Sequence, residues 1–275
     1  MSQQQISVNS TAHTRGAAAF TRRDLVAVMA AVVVLALLLV PALQRSYQKS
    51  MRITCVNNLK TIGTAYRIWA NDNGDQYPAF APQTNGGWRD LLYLTNASIY
   101  AWTNYVTMAN ELAQSPLTLV CPSDERRPAN TFSNHFANTN VSYFVGVNAN
   151  DTYPQSLLGG DRNMGGYPST GPSTTTVGYG ASGSEADIIC SQGSTLYPNV
   201  YVNGSSQGAA FWSTAMHSAG NATGAGNILL GDGSSQQVSS GAFKSSWLLN
   251  ALDQGNWQTS GAPSYSGSAA RLVVP

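Results

Sequence analysis

Few residues in this chain have the side chains that hydrolytic or metal chemistry requires. The 275 residues include three histidines, His13, His135 and His217. Neither the HExxH pattern of metalloproteases nor a phosphate-binding loop occurs. His217 and Asp232 are the best candidate pair for an acid–base or metal site, because their spacing fits a turn just before a hairpin. A structural histidine and a turn aspartate explain the same residues, so we predict no enzymatic activity and no cofactor.

A short acidic segment, Asn71-Asp72-Asn73-Gly74-Asp75, resembles part of a calcium-binding loop. It lacks the glutamate at the twelfth position and the full ligand alternation of an EF-hand. The same residue types favour turns, so we interpret the segment as the end of a helix. The sequence therefore predicts no metal site.

The three cysteines are an odd set, so at least one is left out of any disulfide. Cys55 falls on an apolar helical stripe and is expected to be a buried thiol. Cys121 and Cys190 can pair outside the cytoplasm, and they are the candidate disulfide. The spacing does not determine the connectivity.

A long apolar segment precedes these residues. Leu25–Val40 contains sixteen apolar residues without interruption, and extension to Leu43 gives a span of about 28 Å as a helix. That length approaches the bilayer's hydrocarbon thickness, so 25–43 is predicted to be transmembrane. A cleaved export signal, with Val40 and Ala42 before the cut, and an uncleaved simple anchor are the alternatives.

The helical pattern continues beyond the apolar segment. Apolar residues recur every three or four positions, close to the helical period of 3.6. This stripe comprises Leu43, Tyr47, Met51, Cys55, Leu59, Ile62, Tyr66 and Trp69. We therefore predict one helix over 20–70, about 75 Å long, whose second half packs on the following domain.

Charge separates the same two parts. Residues 1–71 hold eight basic residues and one acidic residue, whereas 72–275 hold six basic and twelve acidic residues. The whole chain carries only +1, and charged residues make up 10% of it. This composition predicts no nucleic-acid partner.

The residues around the helix resemble the prepilin-type N-terminal segment of type IV pilins and type II secretion pseudopilins. The resemblance covers Phe20 to Pro78: Phe20-Thr21 opens the apolar helix, and Pro41 lies where pilins often have a kinking proline. A large-head group of bacterial pseudopilin-like proteins has similar segments in the same order. These are 55–63, 69–78, 121–124, 141–146, 159–163, 216–217 and 226–233.

The resemblance implies processing and assembly. A prepilin peptidase would remove the leader, residues 1–19, by cleavage between Ala19 and Phe20, where the family usually has glycine before the bond, and methylation would follow. Asp24, where the family usually has glutamate, would pair with the new amino terminus of a neighbouring subunit. The chain would be a single-pass protein of the bacterial inner membrane, with a cytoplasmic N-terminus and a periplasmic or extracellular head. Its partners would be other pilin-like subunits, bound through 20–70.

The remaining residues, 71–275, are predicted to form the head. Strand candidates are 117–120, 141–147, 196–202, 227–230 and 235–238, with a short helix over 245–253 and a long loop over 148–195. The expected fold is α+β, with the helix packed on a small antiparallel sheet. The function implied is a structural subunit of a secretion or pilus machine. A membrane-tethered or exported binding module, for example for surface polysaccharide, is the alternative.

Overall fold

The computed structural model describes most of the chain and divides it into two compact units, residues 1–46 and residues 47–275. The structure describes residues 21–90, 100–133, 135–166, 186–191, 199–202, 205–213, 215–217, 224–248, 250 and 269–275.

The first helix, α1, spans Arg22–Asp72 and contains 51 residues. The predicted long helix is therefore confirmed, and it continues through Pro41 without a break. In the first unit its large apolar side chains are exposed, and this helix is long and apolar enough to cross a membrane. A signal sequence near an N-terminus has the same properties, so this finding supports an apolar span of either kind.

The predicted stripe of α1 is buried only in its C-terminal part, which belongs to the second unit. Leu43 and Tyr47 are exposed, and burial begins at Cys55. From there, the buried residues of α1 are Cys55, Leu59, Ile62, Gly63, Ala65, Tyr66, Trp69 and Ala70. The helical spacing places these side chains on one face, which forms part of the core.

The helix ends where the turn-forming residues predict. The backbone N–H of Asp75 donates to the carbonyl oxygen of Ala70 (2.8 Å), and the Asn73 side chain donates to that of Trp69 (2.8 Å). Gly74 and Asp75 adopt positive φ angles of 70° and 57°. The segment 71–75 thus satisfies carbonyls at the helix end, as the turn interpretation predicts.

Among the residues that the structure describes, nine strands of the head form one antiparallel sheet. Its strands are β1 Tyr143–Gly146, β2 Leu157–Asp161, β3 Met164–Gly166, β4 Ala186–Ser191, β5 Asn199–Val202, β6 Ser205–Trp212, β7 Ala225–Leu230, β8 Ser235–Ser239 and β9 Ala269–Val274. Their order is β3-β6-β5-β4-β9-β1-β2-β7-β8. The described part of the head also has two short α-helices, α2 Ala101–Thr107 and α3 Ser240–Ala242, and α3 leads into a π-helical turn over Phe243–Trp247. The predicted α+β fold is confirmed.

Side chains from the central strands alternate between two cores. In β1, Tyr143 and Val145 join the core that contains the buried face of α1. Phe144, between them, joins a second core with Trp212 and Phe243. Successive side chains of a strand point to opposite faces, so both faces of this part of the sheet are covered.

The Asp-Gly turn forms the predicted hairpin between β7 and β8. The backbone N–H of Gly233 donates to the carbonyl oxygen of Leu230 (2.9 Å), and Gly233 has a φ of 81°. This turn lies against α1, because Arg67 donates to the carbonyl oxygen of Asp232 at 2.8 Å. A Cβ atom on Gly63 would lie 2.8 Å from Leu229 Cδ1 and 2.9 Å from the Gly233 oxygen. Gly63 therefore allows the helix and the hairpin to approach closely.

Two local predictions are wrong. Residues 117–120 were expected to be a strand, but Pro116–Leu119 forms a 3-10 turn. The stretch 148–195 was expected to be a loop, but it contains β2, β3 and β4. Gly159 and Gly160 have low strand propensity, so the sequence did not predict β2. The structure requires glycine at 160, because a Cβ atom there would lie 2.7 Å from the Phe144 ring.

We predict that Gly63→Ala destabilises the head by about 1–3 kcal/mol, because its methyl group overpacks the contact with the hairpin. Gly241→Ala is the matched control, since a Cβ atom there has no heavy atom within 4 Å. The measurement is denaturant unfolding of the full chain in detergent micelles. Equal stability of the two variants would contradict close packing at Gly63.

Candidate functional site

The structure describes part of the predicted processing and pairing region. Ala19 and Phe20 lie outside the described residues. The Asp24 carboxylate accepts hydrogen bonds from the backbone N–H (2.9 Å) and hydroxyl (2.7 Å) of Thr21, and the Asp24 N–H donates back to that hydroxyl (3.3 Å). This reciprocal arrangement is a capping box with aspartate in place of glutamate. It orients the Asp24 carboxylate at the first turn of α1.

Pro41 lies inside α1, within the predicted transmembrane segment. Proline has no backbone N–H, so the carbonyl group four residues earlier has no helical donor. The kink expected at this position remains a prediction.

The disulfide joins cysteines other than those expected. Cys55 and Cys121 are bonded, and their Cα atoms are 5.1 Å apart. The predicted Cys121–Cys190 pair is therefore wrong, as is the expectation that Cys55 is a free thiol. Cys55 lies on the buried face of α1, and Cys121 lies in a buried segment before β1. The bond connects α1 directly to the head.

His217 does not pair with Asp232. Asp232 is exposed at the tip of the hairpin, where its carboxylate accepts a hydrogen bond from the Ser234 N–H at 2.8 Å. The His217 ring is instead buried, and its Nε2 lies 3.2 Å from Oδ2 of Asp161. The two predicted partners therefore lie in separate parts of the fold. Asp232 is a turn residue, as the alternative interpretation of the sequence predicts.

Asp161 organises the surroundings of His217. Its Oδ2 accepts hydrogen bonds from the backbone N–H (2.7 Å) and side-chain Nδ2 (2.9 Å) of Asn227. The histidine Nε2 also lies 3.1 Å from Asn227 Nδ2 and 3.3 Å from Cys121 Sγ. A histidine, a carboxylate, an amide and a disulfide sulfur therefore share one buried site.

A buried ion pair adjoins this group along the chain. Arg162 donates to both carboxylate oxygens of Asp124 at 2.7 Å, and the two side chains are almost fully buried. Burial raises the pKa of Asp124, but the hydrogen bonds and charge of Arg162, aided by Ser142 and Arg126, outweigh burial and leave that pKa below its usual value. Such bidentate pairs fix orientation as well as charge.

A second polar contact lies between α1 and the head. Asn58 donates to the carbonyl oxygen of Val120 (3.1 Å) and lies 3.4 Å from the Tyr143 hydroxyl. Burial raises the pKa of Tyr143 well above its usual value. We call this whole group the polar junction. It consists of Cys55, Asn58, Cys121, Asp124, Tyr143, Asp161, Arg162, His217 and Asn227.

The polar junction unites segments that are distant in sequence. Its members come from α1 and from the segments 121–124, 141–146, 159–163, 216–217 and 226–233, which carried the resemblance. The sequence thus indicated these segments, but it did not identify Asp124, Asp161 and Asn227 as site residues. Buried polar groups must find partners, and this requirement connects them.

The chemistry of the polar junction is limited by burial. The side chains of His217 and Asp161 are 1% and 0% exposed. A catalytic pair must reach its substrate, so this arrangement favours a structural role. Sγ of Cys55, Sγ of Cys121 and Nε2 of His217 nevertheless lie within 4.8 Å of one another, and these are the atoms that could hold a metal.

One sequence pattern is excluded as a nucleophile site by its position. Residues 204–208, Gly-Ser-Ser-Gln-Gly, match the GxSxG pattern of serine hydrolases. That pattern acts in a sharp turn from a strand into a helix. Ser206 instead lies within β6, where its backbone pairs with Tyr201 of β5.

Two neighbouring clefts lie at the C-terminal end of α1. One of about 450 Å³ is lined by residues that include Arg67, Asn71, Asp75, Tyr77 and Asp151. The other, of about 300 Å³, shares the last three of these residues. The Tyr77 hydroxyl donates to the carbonyl oxygen of Gly231 at 2.7 Å, and burial raises the pKa of Tyr77 to about 12.

Comparison of the chain with protein-family models, with curated proteins and with solved structures finds no match.

We predict that Cys55→Ser combined with Cys121→Ser lowers the free energy of unfolding by about 4 kcal/mol, because the bond closes a loop across a sequence separation of 66 residues. Denaturant unfolding of the full chain measures the change. Cys190→Ser is the control and should leave the unfolding midpoint nearly unchanged. A larger loss in the control would contradict the observed pairing.

Acid should weaken the head through Asp124. Because folding lowers its pKa, the ionised carboxylate stabilises the head above its unfolded pKa of about 4, and this contribution is lost as pH falls through the folded pKa. Asp124→Asn should flatten the pH dependence below about pH 4 and cost about 3 kcal/mol at neutral pH, because Arg162 stays buried. Unfolding at several pH values tests both, with exposed Asp72→Asn as the control.

Proposed function

We propose that this chain is a pilin-like structural subunit of a secretion or pilus-type machine, held in a membrane by α1. The observation that carries the proposal is the division of α1 into two halves. The apolar side chains of its first half are exposed, whereas the second half supplies one face of the head's core. The resemblance of Phe20–Pro78 to prepilin-type segments agrees with this division.

The physical basis is the cost of exposed apolar surface. The side chains of Leu25–Val40 are apolar, so lipid can cover them. When such a helix leaves the lipid, other apolar helices must cover the same surface. We infer that the partners are other subunits of the same kind, which bind through 20–70. A bundle of such helices would form the centre of the filament, with the heads around it.

Asp24 provides a specific contact for that bundle. An ionised carboxylate beside the apolar layer is costly unless it is paired. Within the described residues, the Asp24 carboxylate accepts hydrogen bonds from Thr21 alone. After cleavage at Ala19-Phe20, the amino terminus of a neighbouring subunit would supply the opposite charge. The capping box would hold the carboxylate in place for this contact.

The proposed location is the bacterial inner membrane, with a cytoplasmic N-terminus and the head periplasmic or extracellular. The Cys55–Cys121 disulfide supports an extracytoplasmic head, because disulfides persist in oxidising compartments. Basic residues stand on both sides of the apolar segment, Arg22 and Arg23 before it and Arg45, Lys49 and Arg52 after it, so the proposed orientation rests on the disulfide.

We predict that Asp24→Ala lowers the yield of cross-linked multimers several-fold, because the charge pair between subunits is lost. Amine-reactive cross-linking in intact membranes, through exposed Lys49 and Lys60 of α1, measures the yield. Thr21→Ala is the matched control, since it removes the capping partner and keeps the carboxylate. Asp24→Glu should restore the yield.

Equal losses in Asp24→Ala and Thr21→Ala would show that the aspartate acts only as a helix cap. Normal cross-linking of Asp24→Ala would contradict subunit pairing altogether.

The mature N-terminus tests the membrane part of the proposal. Mass spectrometry of the purified chain should find a start at Phe20. A start near Leu43 would instead support a removed export signal, and an unprocessed chain would support a simple anchor. Either result would contradict processing by a prepilin peptidase.

The second candidate is a surface binding module. The observation that favours it is the cleft of about 450 Å³ beside Tyr77 and Asp151, which is within the size range of small-ligand sites. Its lining mixes apolar surface with polar side chains such as Arg67, Asn71 and Asp151, a combination that a carbohydrate can contact. A glycan array probed with the full chain distinguishes this role, and Asp151→Ala, at an exposed residue of the lining, should abolish any binding in the cleft.

A further inference from the structure

The polar junction contains metal-ligating atoms from three distant parts of the chain. Sγ of Cys55 comes from α1, Sγ of Cys121 from the segment before β1, and Nε2 of His217 from the segment after β6. These three atoms lie within 4.8 Å of one another. Ligands of one zinc ion lie about 3–4 Å apart, because Zn–S bonds are about 2.3 Å and Zn–N bonds about 2.0 Å.

Asp161 lies beside His217, but its carboxylate is not among the atoms that lie within 4.8 Å of one another. Its Oδ2 lies 3.2 Å from His217 Nε2, and its side chain is 0% exposed. Its other oxygen, Oδ1, is buried and has no hydrogen-bond partner among the described residues. A carboxylate oxygen without a donor is an acceptor that a cation can satisfy. Two sulfurs and one imidazole nitrogen make a donor set suited to zinc, and the Asp161 carboxylate adds a negative charge beside it.

We propose that, when the Cys55–Cys121 disulfide is reduced, Cys55, Cys121 and His217 bind one Zn²⁺ ion, with the Asp161 carboxylate beside His217. A dithiol reductant donates two electrons to the disulfide and becomes a disulfide itself, and each cysteine sulfur gains a proton. Zinc then binds the two thiolates, and both of those protons leave to solvent. The S–S bond breaks and two Zn–S bonds form.

The surroundings support a cation at this position. Asn227 holds Oδ2 of Asp161 through two hydrogen bonds, so the carboxylate stays beside His217, as supporting carboxylates stay beside ligand histidines in metal sites. Two thiolates and a carboxylate carry three negative charges, of which zinc neutralises two. Arg52, whose charge interacts with that of Asp161, supplies a further positive charge.

Zinc would give the reduced chain the connection that the disulfide gives the oxidised chain. Cys55 belongs to α1, whereas Cys121 and His217 belong to the head. Either bond type therefore fastens the helix to the sheet. This inference is independent of the proposed assembly, because it concerns only the second unit of the chain.

The test uses the full chain in detergent micelles, produced and purified with a phosphine reductant so that no disulfide forms. Thiol titration confirms that the cysteines are reduced. Elemental analysis after addition of Zn²⁺ and desalting should find about one zinc per chain, and none in the oxidised chain. Co²⁺ in place of zinc should give the thiolate charge-transfer absorption of a tetrahedral site.

Matched variants identify the ligands. His217→Ala should weaken zinc binding more than about 10-fold, since loss of a ligand costs at least as much as loss of a supporting contact. His135→Ala is the control, because His135 is exposed. Cys190→Ser should likewise keep the zinc. Asp161→Asn should weaken binding while the cobalt spectrum retains its thiolate bands.

The absence of stoichiometric zinc in the reduced chain would overturn the proposal. Zinc that remains in His217→Ala, or that is lost in His135→Ala, would do the same. A reduced chain that does not fold when Zn²⁺ is present, as judged by circular dichroism, would also overturn it. None of these results bears on cross-linking between subunits, so the two proposals fail separately.

Discussion

Burial of one face of α1 against the sheet is the contact on which the head depends. Cys55, Leu59, Ile62 and Tyr66 are each at most 2% exposed, and they share a core with the central strands. Without this helix face, the corresponding face of the sheet would be open to water, which would cost the free energy of its apolar area. The helix that carries the apolar segment is therefore also a structural element of the head.

Polar groups make this packing specific. An apolar face alone would tolerate small shifts of α1 along the sheet, whereas the polar junction accepts one arrangement. Asn58 contacts Val120 and Tyr143, and Cys55 is bonded to Cys121. Buried donors and acceptors cost free energy when they lose their partners. The same requirement explains why short, scattered segments such as 121–124 and 159–163 meet at one place.

Features that depend on neighbouring residues were predictable from the sequence, whereas features that depend on contacts between distant segments were not. The long helix was predictable because its apolar period repeats over many turns, and the hairpin was predictable from one Asp-Gly turn. The strand β2 was not predictable, because its two glycines, Gly159 and Gly160, have low strand propensity. Gly160 is required by a distant contact, the close approach of the Phe144 ring. The disulfide was mispaired for a similar reason, since Cys55 and Cys121 are 66 residues apart and only the fold brings them together.

The sequence by itself determined the apolar span, the amphipathic continuation of the helix, its end at 71–75 and the α+β class. These depend on composition and on spacings of a few residues, which act through local geometry and solvation. Only the tertiary structure decided that His217 faces Asp161 rather than Asp232, that Cys55 is the partner of Cys121, and how the nine strands are ordered. Those choices are made by contacts between distant segments, whose closeness arises only when the whole core is packed.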